Sequence, residues 1–384
     1  MTSAEAPPAP TGTATGPGPG GSVGSGGTDG TGLAPITRTR GRQDRGDLAR
    51  YLVRRIAIGL VLVLGTTLIA FLLTQLVPGD PAAANLGQQA INDPAAVAAF
   101  RQQHGLDRPL PEQYVIYLGN LLHGDLGVSQ QSHRPVSTDL SEFVPATAEL
   151  AFFAIAVSLL LGVTFGVVAA LTRDRWPDQL LRVVSLAGVS APTFWVALVA
   201  FYLFFFKLGW VPGGGRLNPG QAPPAHTTGL YTVDALLHGN WTGFVSALRH
   251  VIMPGLVLAL YTVGLLLRFT RASVLEVVGS DYVRAARAKG LPERIVITRH
   301  ILRPALVGII TVAGVAFGSL LSGAVLVENI FGWPGIGEYA FRSATNLDLP
   351  SIMGVSVVVA TVYIAINILV DILYGVIDPR LRLS

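Results

Sequence analysis

The chain has 384 residues, 51% of them hydrophobic and 13% charged, with a mean hydropathy of +0.53, a net charge of +4 and a pI near 9.5. Soluble domains carry about 25% charged residues, so a content half as large points to a surface that faces lipid. The absence of cysteine excludes disulfides, thiolate zinc sites, iron–sulfur clusters and cysteine nucleophiles. Neither lysine, Lys207 or Lys289, sits in the Gly-Lys-Ser/Thr setting of a phosphate-binding loop.

The N-terminal stretch is Gly, Pro, Thr, Ser and Ala without an apolar run. Such a segment cannot offset its ordering entropy, so a disordered tail is expected over 1–47. It has no h-region and is not a signal peptide. The rest, 48–384, reads as one transmembrane domain. Crossing a ~30 Å hydrocarbon core takes ~20 apolar residues, and six segments qualify: 56–77, 146–171, 180–206, 251–267, 305–327 and 352–377. Backbone groups cannot stay unpaired in lipid, so all six are expected to be helices, making the chain all-α. Gly162/Gly166, and Gly314/Gly318 with Ser322, space small residues four apart where helices pack closely.

Orientation follows from the basic residues. With the N-terminus in the cytoplasm, the inner segments 1–55, 172–182, 268–304 and 378–384 hold 20 Lys and Arg. The outer loops 78–144, 207–250 and 328–351 hold 7. Both termini are therefore expected inside. The large extracellular loop 78–144 has elements of its own. Asp93-Pro94 starts a helix that Gly105 stops, and a second runs from about Pro111 to Gly124. Tyr114, Tyr117, Leu118 and Leu121 form a stripe on that second helix, which either packs on the outer ends of the bundle or offers a platform to an extracellular partner.

An ion-coupled carrier needs ionisable groups inside its helices, and few are found. Glu149 and Glu328 read as helix-end residues, and Asp371, one turn from Asn367, bonds within the bundle or at the interface. No His-Glu-x-x-His, Gly-x-Ser-x-Gly or ligand cluster is present, so no active site, metal or nucleic-acid partner is expected. In the last outer loop, Pro334, Gly335 and Gly337 beside Phe331 and Trp333 suggest a re-entrant turn. There Gly335 supplies a positive φ or a close backbone approach; an ordinary interfacial loop is the other reading.

The cytoplasmic loop 268–304 holds eight of the basic residues. Contact with anionic lipid accounts for those charges but not for the pattern that follows them. Ser280 and Asp281 can cap a short alanine- and arginine-rich helix over 282–289, stopped by Gly290. Such a helix can slot into a groove on another protein.

The run Asp281-Tyr282-Val283-Arg284-Ala285-Ala286-Arg287-Ala288-Lys289-Gly290-Leu291 resembles the coupling loop of the dipeptide/oligopeptide/nickel permeases of ATP-binding-cassette importers. Their Glu-Ala-Ala, three residues, Gly signature here reads Arg284-Ala285-Ala286 and Gly290, and the trailing Ile-x-Leu-Pro is reduced to His300-Ile301-Leu302-Arg303-Pro304. The likeness extends through Pro78-Gly79-Asp80-Pro81, Gly105-Leu106-Asp107-Arg108-Pro109-Leu110, Gly124-Asp125-Leu126-Gly127 and Pro145-Ala146-Thr147, the last opening helix two. Ser190-Ala191-Pro192-Thr193-Phe194-Trp195 within helix three, Leu208-Gly209-Trp210-Val211-Pro212, Asp348-Leu349-Pro350 and Asp378-Pro379-Arg380 continue it.

This resemblance implies a type I importer permease of the first-subunit kind in a bacterial plasma membrane. Its partners would be a homologous second permease, two cytoplasmic ATPases that bind the ATP and Mg, and an external solute-binding protein. Asp281, Tyr282, Arg284, Ala285, Ala286, Lys289 and Gly290 would couple to the ATPases. Glu328, Phe331, Trp333, Pro334, Gly335 and Asp348 would serve an outer gate or binding-protein contact. No cofactor is implied for this chain. A stand-alone channel or secondary carrier is the alternative, weakened by the scarcity of intramembrane charge and of a polar pore stripe.

Overall fold

The computed structural model describes residues 43–76, 94–103 and 107–377. The expected tail lies outside these residues up to 42, and its last five belong to the first helix, α1 (Gln43–Leu76). Pro78–Pro81, Asp93, Gly105 and Asp378–Arg380 also lie outside them.

Two short helices occupy the first large loop, α2 (Pro94–Gln103) and α3 (Leu110–Leu122). Tyr114 of α3 shares a 2.9 Å hydrogen bond with Thr67 of α1, and the Tyr114 and Tyr117 rings lie 5.5 and 6.2 Å from Phe71. The aromatic stripe thus packs on the bundle. Burial pushes the Tyr117 hydroxyl up to about 12, with Tyr114 adding to the effect.

Next comes α4 (Val136–Leu171), which begins ten residues before the expected 146. Pro145 does not open this helix but lies inside it, with Gly229 against its ring. The third apolar segment is not one rod. Ala191 (φ −76°, ψ 126°) and Pro192 (φ −60°, ψ 124°) are extended, separating α5 (Trp176–Ser190) from α6 (Thr193–Ala200) by 97°. Proline lacks an amide donor and keeps the preceding residue out of helical geometry. Beyond α6 the chain widens into a π-helical run, Phe201–Lys207, whose rings stack four apart, Phe201 on Phe205 at 4.8 Å and Tyr202 on Phe206 at 5.6 Å.

After α7 (Tyr231–Leu237) comes α8 (Trp241–Val278), 38 residues long, although its apolar run is the shortest of the six. Asn240 caps it through its side chain, accepting from the Gly243 N–H at 2.8 Å. The helix reaches past residue 267 because it is buried by neighbours: 67% of its apolar window is covered, against 17–28% for the other unbroken spans. Small residues make this possible. A Cβ on Gly162 would lie 2.7 Å from Leu266, and one on Gly264 would lie 2.8 Å from the Ser185 carbonyl. Ser185 Oγ donates to the Gly264 carbonyl at 2.7 Å, and Ser158 Oγ to that of Ala259 at 3.3 Å. Hence α8 is the axis on which α4 and α5 close.

A short helix, α9 (Asp281–Ala288), precedes a turn at Glu293–Ile295, a π-helical run at Val296–Leu302, and α10 (Arg303–Gly323). Two short helices, α11 (Val325–Ile330) and α12 (Ile336–Thr345), lead to α13 (Leu349–Ile377). Gly314 and Gly318 of α10 face Val370 and Tyr363 of α13. Among the described residues four helices are long and apolar enough to cross a bilayer alone, and the bent pairs Trp176–Ser190/Thr193–Lys207 and Glu293–Leu306/Gly308–Leu320 bring the total to as many as six if each pair is one span. Among the described residues the protein is all-α apart from one bridge, Val128 to Pro135.

Candidate functional site

At one end of the bundle, α9 splits its residues between two faces. Val283 and Ala286 are buried in a cluster with Val274, Val296 and Ile301. Asp281, Tyr282, Arg284, Ala285 and Lys289 are exposed, with Arg284 paired to Asp281. Ala286 therefore packs against the protein's own core, and the small outward residues are Ala285 and Ala288. Ser280 does not cap through its side chain: its hydroxyl donates to the Val277 carbonyl at 2.6 Å. Gly290 adopts φ +72° with open space around its missing Cβ, so its constraint lies wholly in the backbone. Across this turn Arg287 bonds both oxygens of Glu293, at 2.7 and 3.2 Å, and the carboxylate holds the guanidinium above its usual range.

Next to this end, Asp178 at the start of α5 is fully buried and takes a two-pronged bond from Arg271 of α8, at 2.7 and 2.8 Å. The Asp174 N–H donates to it at 3.0 Å and Arg182 lies 3.7 Å away. Sequence reasoning missed this clasp. Its only signal was one acid in the first turn of a helix amid Arg173, Arg175 and Arg182.

At the far end, the expected outer residues form a buried brace. Glu328 accepts from Thr147 Oγ1 at 2.6 Å and from the Glu338 N–H at 3.0 Å, and Thr147 in turn accepts from the Ile336 N–H at 2.7 Å. Burial pushes the Glu328 carboxyl up, opposed by the bonds from Thr147, Glu338 and Gly337. Trp333 is 1% exposed and donates from its indole to the Ala146 carbonyl at 2.9 Å, while Phe331 meets Phe201 edge-on at 5.4 Å.

Gly335 has φ −110°, so the positive-φ reading is set aside. Its need is close approach, since any Cβ would meet the Glu328 carboxylate. Asp348 is fully buried and accepts from Ser129 at 2.6 Å and Ser351 at 2.8 Å. Of the six expected outer residues only Pro334 is partly exposed; the other five are buried.

Glu149 is not at a helix end. It lies inside α4, buried, bonded by Arg216 at 2.6 Å and by the Thr232 hydroxyl and N–H at 2.6 and 2.7 Å. The Arg216 guanidinium stacks 3.5 Å over Tyr231. Beside it, Asp234 is buried, which opposes its charge. Bonds from the Thr228 hydroxyl and the N–H groups of Thr228, Thr227 and Gly229 outweigh this and hold it below the usual carboxylate range.

These features define a multi-pass membrane subunit whose buried charges are spent on bracing, and among the described residues no group of acids and histidines could hold a metal. Residues 162–383 match the family described as binding-protein-dependent transport system inner membrane component, and 48–151 match its N-terminal companion. The chain belongs to that family. It is 45% identical to the probable D,D-dipeptide transport system permease protein DdpB of Escherichia coli K12, over 86% of this chain and 97% of that one. It is 40% identical to the dipeptide transport system permease protein DppB of Alkalihalophilus pseudofirmus, over 86% and 99%. The inward-facing MetNI methionine ABC transporter overlays with a TM-score of 0.45 at 15% identity, over 62% of this chain and 96% of that one. The protein is thus a permease subunit of an ATP-binding-cassette importer, working with a second permease and ATPase subunits.

Proposed function

We propose that the chain is the first permease of a peptide importer and that 281–290 is where the ATPases grip it. The solute class follows from relatives whose names specify dipeptides and di- or tripeptides. Residues 48–384 form the permease domain, α9 and both termini are cytoplasmic, and an external solute-binding protein delivers the peptide at the other end. The observation that carries the reading is the split of α9. Val283 and Ala286 anchor it to the bundle, while Tyr282, Ala285 and Lys289 stand outward at i, i+3 and i+7, one face ready for a groove. ATP drives the cycle only if the ATPases bind one permease conformation better than the other. The buried outer residues Glu328, Phe331, Trp333, Gly335 and Asp348 then serve by holding the outer mouth in shape.

Ala285→Trp should force the docked surfaces apart and abolish uptake, with binding-protein-stimulated ATP hydrolysis lost in the reconstituted complex and the protein still in the membrane. Gly290→Val should do the same, because valine resists φ +72°. Ala286→Trp should instead lower the yield of folded protein, since that site is internal. Full uptake and stimulation with Ala285→Trp would leave α9 as an ordinary basic loop.

A further inference from the structure

Between α5 and α8 lies a cleft of about 300 Å³. Its lining includes Ser185, which bonds the Gly264 carbonyl, and Arg271, which clasps Asp178. Its walls are Leu186, Val189 and Leu267, and its mouth carries Arg182, Arg268 and Arg271. The side-chain chemistry is two-sided. Leu186 and its neighbours Val183 and Val184 are exposed at 65%, 65% and 50%, an apolar strip continuous with the spanning surface. Arg271 clasps Asp178 through its paired nitrogens, and Arg182 lies 3.7 Å from the same carboxylate, so two cations share one anion. Arg268 has no carboxylate within 4 Å among the described residues, and its nearest ring, Phe269, lies 5.8 Å away. Arg268 thus stands without a carboxylate, and Arg182 has only a share of one, beside a hydrocarbon-lined slot.

We infer that this cleft binds an anionic phospholipid, its phosphate held by Arg268 and Arg182 and one acyl chain lying along Leu186, Val189 and Leu267. Only an amphiphile satisfies both halves of the site. A free phosphate leaves the apolar walls wet, and an uncharged lipid leaves Arg268 without an anion. Basic pockets between spanning helices suit such headgroups. The inference does not depend on which solute is carried.

The purified importer complex can be stripped of lipid, offered phosphatidylglycerol or phosphatidylcholine, and weighed by native mass spectrometry. Phosphatidylglycerol should be retained and phosphatidylcholine not. Arg182→Gln with Arg268→Gln should weaken retention about thirtyfold, as each basic charge near an anionic lipid contributes about fivefold. Val189→Trp, which fills the slot and keeps the charges, should also expel the lipid. Equal retention of the two lipids, or retention unchanged in both variants, would overturn the site. So would competition by millimolar inorganic phosphate, which would make it a phosphate site. A photo-crosslinker at Leu186 that captures the second permease, not lipid, would assign the cleft to the subunit interface and equally defeat the proposal.

Discussion

Glu328 shows how one side chain carries more than its sequence position reveals. Its neighbours Phe331, Trp333 and Pro334 are local and legible, but the partner that satisfies it, Thr147, is 181 residues away. Separations of 67 and 93 residues hid the Glu149–Arg216 pair and the Asp178–Arg271 clasp: neither acid shows its partner until the fold brings the arginine. Gly335 was legible as a special glycine, though its reason proved to be the Glu328 carboxylate and not a left-handed turn. The raised pKa of Glu328 has a consequence with a definite sign. Its folded value lies above the ordinary 4.5, so the carboxyl's stabilising contribution is full below pH 4.5 and is lost as pH rises through the folded value. Glu328→Gln keeps the shape without the titration. Thermal melting of the purified protein should therefore lose stability from pH 4.5 upwards more in the native chain than in the variant. Parallel curves would mean that the hydrogen bonds to Glu328 fully offset its burial.

Among the elements, the helices were legible by length of apolar run, and their breaks and extensions less so. The kink at Pro192 had a local signal, proline after alanine, that the apolar run masked. The length of α8 had almost none: its end beyond residue 267 is polar and arginine-rich, and it remains helical because Thr270 and Val274 are buried by α4 and the α9 cluster. The glycine spacing was the better guide, since Gly162 and Gly166 do meet Leu266 and Thr270. Replacing Gly162 by Leu should destabilise the protein by about 1–3 kcal/mol through forced separation of α4 and α8. Gly65→Leu in α1, where nothing lies within 4 Å, should change stability by no more than about 0.5 kcal/mol. Chemical unfolding in detergent separates the two; equal effects would show that the α4–α8 contact is slack.

At the scale of the whole molecule, the apolar runs foreshadow the four helices and two bent pairs that give up to six spans, and the orientation proposed from charge is open to a direct check. The cysteine-free chain makes single labels clean. Gln131→Cys and Thr345→Cys, both exposed, should react with an impermeant thiol reagent in intact cells, whereas Ala285→Cys should not; labelling of Ala285→Cys from outside would invert the map. Ser343 would serve poorly because its side chain is buried. The length of α8 has a geometric consequence for any motion it transmits. At about 1.5 Å per residue its 38 residues span about 57 Å. It is gripped near Gly264, leaving arms of about 35 Å towards Trp241 and about 21 Å towards Val278. Were the helix, which carries Pro254 in its longer arm, to pivot there as one body, a sideways step of about 3 Å beside α9 would become about 5 Å, in the opposite sense, at the other mouth. In that case the stroke that shuts one side would open the other, with a mechanical advantage set by where Ser185 and Gly264 meet.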